Sequence, residues 1–438
     1  MSLSTEVVLA REGEYRVEVP ANTEVCIRLK SGSAELFGVE LAIDREYTFR
    51  DRKLAIFTWY GCTLEVRGTP EVAYSSEETP MDSYLNIHAQ LQRRRELAKA
   101  KQTAGPRVLV CGPVDSGKST LTQILLNYAL RLGEKPTLVE LDVGHGCLCV
   151  PGTISASPLD MNSLSVEEVF ILTNPFAYFY GHASPSENVE LLRHYQQRLA
   201  KTVLKRLAND KEVNASGCVV NTCGWVDGMG FDLLVHAIKD FDVDVVLVIG
   251  QDRLYSRLQS TLTNATINGV ERSIVKLARS GGVVPLNNKL RSAARISCIR
   301  EYFYGSHSLS VPIPVLSPCI NEFSFDDIAF FTIKDMKVSD VMLPVGQMET
   351  QTDRLRVVPV EKSADLGHSL AAVVQLRHGV DASPTSTADF SWLLDAPAAG
   401  FVFIKEVRMA EQKLVLLVPS PGPLPSRNVL LGSIKWME

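Results

Sequence analysis

The chain has 438 residues, 45% of them apolar and 22% charged, with 45 basic against 50 acidic side chains and a formal net charge of −5. This is the balance of an ordinary globular protein; it excludes a chain that coats nucleic acid by bulk positive charge, though not one with a local basic groove. No stretch reaches the ~18 consecutive apolar residues of a membrane span, no secretion signal is expected from the first residues, and nine scattered cysteines, an odd number, suit a reducing compartment better than a disulfide framework.

The length has room for about three domains. From about residue 12 to 75 the pattern has period two: Tyr15, Val17 and Val19 alternate with Arg16 and Glu18, and Val25, Ile27 and Leu29 with Cys26, Arg28 and Lys30. Turn signals at Lys30-Ser31-Gly32-Ser33 and Tyr60-Gly61 break the run, and Leu54 to Trp59 adds a strand, so residues 1–80 are expected to form a β-rich sandwich or barrel. Residues 81–106 read as a helical linker ending in the hinge Ala104-Gly105-Pro106, with Arg93, Arg94, Arg95, Lys99 and Lys101 as a solvated face. From 107 to 308 apolar runs alternate with helical stretches. The strand candidates Arg107 to Cys111, Thr137 to Leu141, Cys218 to Asn221, Val243 to Ile249 and Ile274 to Leu277 predict an α/β domain with a parallel sheet and helices on both faces. Residues 309–438 return to β character at Phe401 to Ile404, Lys413 to Val418 and Val429 to Leu431, with a surface loop near Ala382 to Thr387 and a proline-rich stretch from Pro419 to Pro425.

The most informative segment is Gly112-Pro113-Val114-Asp115-Ser116-Gly117-Lys118-Ser119-Thr120, which satisfies every position of the phosphate-loop pattern G-x-x-x-x-G-K-[ST]. Its glycines let successive backbone N–H groups point at phosphate oxygens, Lys118 reaches the β- and γ-phosphates, and Ser119 can ligate Mg²⁺. The flanks fit: a buried strand precedes the loop, and apolar residues at Leu121, Ile124, Leu125, Tyr128, Ala129 and Leu132 follow at helical spacing. The helix N-terminus then adds its partial positive charge to the anion site. A nucleoside triphosphate with Mg²⁺ is the ligand expected, with Gly112, Asp115, Ser116, Gly117, Lys118, Ser119 and Thr120 as its binding residues.

Such a loop needs a carboxylate at the end of a neighbouring strand. Asp142, closing Thr137-Leu138-Val139-Glu140-Leu141, supplies one that can also take a proton from an attacking hydroxyl. GTPase signatures are missing, because Asp142-Val143-Gly144-His145 does not close D-x-x-G and no N-K-x-D occurs. Phosphoryl transfer or a static nucleotide site remain. Asn221-Thr222-Cys223-Gly224-Trp225 lies just past a strand, where ligands sit in open α/β sheets, and Trp225 there is either a packing anchor or a platform for a nucleobase. Arg291 and Arg295, four residues apart on one helix face, can close over a triphosphate and offset charge that develops during transfer. Cys147 and Cys149 read as structural thiols, since no second ligand pair follows at zinc spacing.

Together these segments resemble the eukaryotic polynucleotide 5′-hydroxyl kinase family of the pre-mRNA 3′-end cleavage factor and the tRNA splicing endonuclease. The motifs that carry the likeness are Phe57-Thr58-Trp59, Glu71-Val72-Ala73-Tyr74, the loop from Gly112 to Thr120, Glu140-Leu141-Asp142-Val143-Gly144, Pro151-Gly152-Thr153, Asn221 to Trp225, Arg291 with Arg295, and Ile299 to Gly305. The resemblance implies transfer of the ATP γ-phosphoryl group to the 5′-hydroxyl of RNA in the nucleus. It also implies Asp142 assisting magnesium and deprotonating the hydroxyl, Trp225 stacking on the terminal base, Thr222 and Gly224 clasping the substrate, Arg291 and Arg295 as a lid, and Glu14 and Lys53 meeting the adenine side of ATP. One departure is His145, where the family usually has glutamine; its imidazole can charge near neutral pH. The alternative is an ATP-bound scaffold subunit without turnover, and a small-molecule kinase is a more distant reading.

Overall fold

The structure, a computed structural model, describes residues 4–20, 23–144, 148–172, 175–262, 272–305, 316–336, 354–375 and 390–437. The period-two segments near the start form two facing sheets. One has the spatial order Ser4–Leu9, Cys62–Gly68, Val25–Gly32, Glu46–Phe49; the other runs Val39–Glu40, Glu35–Leu36, Arg52–Phe57, Glu14–Val19, Val72–Ser76. Tyr15, Val17, Val19, Ile27, Leu29, Leu54 and Ile56 point inward and fill the space between them. Glu14, Arg16 and Glu18 alternate with those residues and so stand on the outer face.

Helix α1 (Met81–Lys101) buries Met81, Tyr84, His88, Leu91, Arg95 and Ala98, a stripe at spacings of three and four. The expected solvated basic face is therefore only partly so. Arg95 is 1% exposed and donates from Nε to the Ser216 carbonyl, Arg94 pairs with Asp244 at 3.0 Å, and Lys99 pairs with Glu134 at 2.6 Å. These long side chains tie α1 to the domain that follows, using their stems as apolar packing.

That domain is built on five parallel strands in the order Ser273–Leu277, Val245–Ile249, Arg107–Cys111, Cys218–Asn221, Thr137–Glu140. Val108 and Val110 face one core, with α1 and α2 (Lys118–Arg131). Leu109 and Cys111 face the other, with α3 (Val189–Asn209), α5 (Met229–Asp240) and α6 (Asp252–Leu262). A short helix, α4 (Lys211–Ser216), precedes the strand Cys218–Asn221.

The sheet is not wholly parallel. Thr153–Pro158 and Phe176–Phe179 extend it in antiparallel fashion, and an Ala177–Ala398 pairing carries it into the C-terminal strands. Those strands include Ser369–Val374, Ala398–Arg408, Lys413–Val418 and Asn428–Lys435, covering the three expected there. The two antiparallel strands escaped the sequence because Thr153–Pro158 is rich in small polar residues and Phe176–Phe179 has only four residues. The last helix, α7 (Asn288–Tyr304), is anchored at its C-terminal half: Phe303 stacks on Trp436 at 5.6 Å, and the Tyr302 hydroxyl accepts from the Phe401 N–H at 3.0 Å. The loop expected near Ala382 to Thr387 lies outside the described residues.

Candidate nucleotide and substrate site

Register fixes the site. Val110, Asn221 and Glu140 stand level on three adjacent parallel strands, so the next residues of each chain emerge together at the C-terminal edge of the sheet. From one strand comes the loop starting at Gly112, from the next Thr222 to Trp225, and from the third Asp142.

The loop is curled as its sequence requires. Gly117 has φ +91°, a conformation that L side chains rarely adopt, and it ends the loop where α2 begins at Lys118. Asp115 also has a positive φ of 55°. The Ser116 hydroxyl is buried and has no hydrogen-bond partner among the described residues, an unmet donor in a loop whose residue types suit an anion. Lys118 is 7% exposed and donates to the Pro113 carbonyl at 2.8 Å. Burial pushes its ammonium below the usual lysine range, and the Asp142 carboxylate partly pulls it back, which places Asp142 in the field of Lys118. Ser119 is exposed in the first turn of α2 and Thr120 is half-buried beside it.

A relay joins the two oxygen groups expected to hold magnesium. The Asn221 side-chain amide donates to Ser119 Oγ at 3.2 Å and to both carboxylate oxygens of Glu140 at 3.0 Å, and Glu140 Oε1 accepts the Asp142 N–H at 2.9 Å. Glu140 is 1% exposed, so this carboxylate is fully committed to positioning its neighbours. Asp142 Oδ1 accepts the Gly144 N–H at 2.9 Å, which fixes the carboxylate's direction. A hydroxyl and a carboxylate are hard oxygen donors, and they fit a magnesium ion held mainly through substrate phosphates. His145 lies outside the described residues.

Gly224 locks the second loop to the first: a Cβ there would lie 2.5–2.7 Å from three atoms of Val114, so only glycine permits the approach. Thr222 spends its hydroxyl on the Val110 carbonyl at 2.8 Å and is 2% exposed, so it ties two strands together, and its backbone borders the edge. Trp225 is half-buried, with Gly230 of α5 close beneath its indole.

The lid residues divide. Arg291 donates from Nη2 to Asp115 Oδ2 at 2.5 Å and from Nε to the Leu286 carbonyl at 3.1 Å, which brings the start of α7 onto the phosphate loop. Arg295, one turn further on, is half-buried and forms no ion pair among the described residues. The turn before α7 completes the cover, since Val283 lies over Gly117 and Gly282 abuts the Arg16 guanidinium of the N-terminal sandwich.

Arg16 links the adenine-side expectation to the loop. It pairs with Glu14 at 3.1 Å, reaches the Glu78 carbonyl at 2.8 Å and lies over the Tyr74 ring at 5.7 Å. Glu14 is thus brought close to the turn that covers Gly117. Lys53 shares its sheet face but pairs with Glu18 at 3.1 Å, four residues along the strand, about 13 Å away. Sequence reading missed Arg16, Glu140 and the Asp115–Arg291 pair; the one available signal was a glutamate closing an apolar buried run at Glu140.

Fold and loop define a P-loop nucleotide-binding protein with a capping β-sandwich. Residues 112–305 match the family model described as mRNA cleavage and polyadenylation factor CLP1 P-loop; residues 8–98 match the N-terminal beta-sandwich domain of polyadenylation factor, and 316–438 match the pre-mRNA cleavage complex II protein Clp1. A protein CLP1 homolog of Arabidopsis thaliana is 41% identical, with 99% of this chain and 94% of the relative covered. The polyribonucleotide 5′-hydroxyl-kinase Clp1 of Homo sapiens is 38% identical, with 99% and 97% covered. A solved complex of Clp1p with Pcf11p superposes with a TM-score of 0.82 at 26% identity over 100% of this chain and 99% of that one. A second, described as an extended Pcf11p–Clp1p interface and the basis for ATP loss in a point mutant, gives 0.83 at 25% over 100% of both. The chain belongs to the Clp1 family.

Proposed function

We propose that the protein is an ATP-dependent polynucleotide 5′-hydroxyl kinase that phosphorylates RNA ends in pre-mRNA 3′-end processing. The observation that carries the reading is convergence: the curled loop with Lys118, the Ser119–Asn221–Glu140–Asp142 relay, the Trp225 loop and the Arg291 end of α7 all meet at one edge of one sheet. Curated relatives that match nearly the whole chain carry that activity in their names.

In the reaction, Asp142 accepts the proton of the RNA 5′-hydroxyl, and the 5′-oxygen forms a bond to the γ-phosphorus as the bond to the β-phosphate oxygen breaks, with ADP leaving. Lys118 exchanges the Pro113 carbonyl for phosphate oxygens, and with Arg291 and Arg295 offsets the transferring charge. Ser119 and Asp142 would hold Mg²⁺, which supplies neutralisation at the β- and γ-oxygens when bound. Trp225 stacks on the terminal base beside Thr222 and Gly224, and Glu14 with Lys53 face the adenine side. Partners in this reading are Pcf11-type cleavage factor subunits and the tRNA splicing endonuclease, and the location is the nucleus.

The test is label transfer from γ-labelled ATP with Mg²⁺ to 5′-hydroxyl RNA and DNA oligonucleotides. Wild type should label the RNA end, and Lys118→Ala should lose about 10²- to 10³-fold in rate, the scale of removing a main charge stabiliser of the transition state. Equal transfer by both proteins contradicts the reading. Tight ATP binding with no transfer to any end favours the scaffold alternative.

A further inference from the structure

We infer that Asp115, a carboxylate inside the phosphate loop, is a positioning residue that holds the lid end of α7 closed over the loop, and is not a ligand of the nucleotide or its metal. The inference rests on the kinase reading only for its consequence in rate; the contact itself is geometric.

A carboxylate next to a polyphosphate is repulsive, so its presence in the loop asks for a counter-charge. Asp115 sits at φ 55°, and its carboxylate is engaged by the segment that covers the loop. There its Oδ2 accepts two donors from the covering segment, the Leu286 N–H at 3.1 Å and Arg291 Nη2 at 2.5 Å. Both partners of the ion pair are 18% exposed. Arg291 also closes back on its own segment through Nε and the Leu286 carbonyl at 3.1 Å, so Asp115, Leu286 and Arg291 form a closed ring of polar contacts.

The ring attaches one end of this region, and Cys298 in mid-helix donates to the Cys149 carbonyl at 3.4 Å. The far end of α7 is fixed by Phe303 on Trp436 and by Tyr302 on Phe401, while Leu290 and Ile296, in its first half, remain exposed at 48% and 39%. Together with Val283 over Gly117, the polar ring seats the start of the helix on the loop. With Nε and Nη2 anchored, the guanidinium plane of Arg291 is fixed and can meet a transferring phosphoryl group without reorganising.

This role has a signature opposite in sign to ligand binding. Asn tolerates positive φ as Asp does and keeps an acceptor for the Leu286 N–H, so Asp115→Asn removes the charge and little else. It should leave ATP affinity, measured by calorimetry, unchanged or tighter, because a negative charge beside the phosphates is gone, while kcat falls about tenfold. In an Arg291→Ala background the same substitution should cost nothing more in kcat, a double-mutant cycle with strong coupling. Independently of any activity, hydrogen exchange at the Leu286 amide should quicken at least tenfold in Asp115→Ala and much less in Asp115→Asn. Weaker ATP binding with unchanged kcat, an equal kcat loss with or without Arg291, or unaltered Leu286 exchange in Asp115→Ala would each overturn the assignment. Failure of label transfer in wild type would instead strike the kinase reading, with the exchange result still deciding the latch.

Discussion

The two ends of the site are built in different ways. The phosphate end comes from one contiguous segment whose backbone does the binding, backed by a strand row that fixes Asn221 and Glu140 level with Val110. In the kinase reading the adenine end is assembled from side chains on the outer face of a sandwich, where Glu14 pairs with Arg16 and Arg16 meets the central domain at the turn holding Gly282. A binding surface made of backbone resists substitution and is readable as a motif. One made of side chains across a domain contact depends on packing and on charge pairs.

The contrast can be broken most sharply at Asp142. Asp142→Asn keeps the carboxamide oxygen and the Gly144 contact but cannot take a proton, so kcat should fall about 10²- to 10³-fold with ATP affinity little changed. A loss under threefold would remove Asp142 from the chemistry. Trp225→Ala comes next, removing a stacking surface worth about 1–3 kcal/mol. The KM for an RNA end should rise at least fivefold while ATP binding stays as it was, and an unchanged KM would make Trp225 a packing residue seated on Gly230.

At the adenine end, Glu14→Ala leaves the nearly buried Arg16 guanidinium without its carboxylate, and thermal or urea unfolding should show a loss of about 3 kcal/mol. Lys53→Ala breaks a far more exposed pair with Glu18 and should cost under about 1 kcal/mol. Equal costs would show that burial is not what separates the two pairs. The last effect is a slope of stability against pH, confined to the acid side of neutral. Burial, reinforced by Arg95 and Arg131, lowers His88 from 6.5 to about 4 in the folded chain. The unfolded chain therefore binds a proton that the folded one refuses. This contribution is present above pH 6.5 and is lost as the pH falls from 6.5 toward 4. In His88→Gln that part of the stability slope should flatten, and an unaltered slope would assign acid sensitivity to other groups.

Legibility in the sequence followed the same division. The loop, its flanking strand and helix, and Asp142 were readable because they lie in one continuous stretch from Arg107 to Asp142 and each has a local pattern of period or motif. The parallel strands were readable from apolar runs with alternating partners. Thr153–Pro158 and Phe176–Phe179 were not, since neither is long or apolar enough to stand out. Arg95 looked like one more solvated arginine, because the Ser216 carbonyl it meets is 121 residues away. The Asp115–Arg291 ring was hidden for the same reason, with 176 residues between its partners. Nothing local distinguishes Glu14 from any other glutamate of an alternating strand, and the adenine-side expectation for it comes from the resemblance alone.

The account depends most on the RNA end and the triphosphate meeting at one edge of the sheet. An oligoribonucleotide with a photoreactive 5′-terminal base, irradiated with the protein and a non-hydrolysable ATP analogue, tests this directly. The account predicts that the crosslink maps to the Trp225 loop and is lost when an excess of unmodified 5′-hydroxyl RNA competes. A crosslink confined to residues on the opposite, N-terminal edge of the sheet would contradict it.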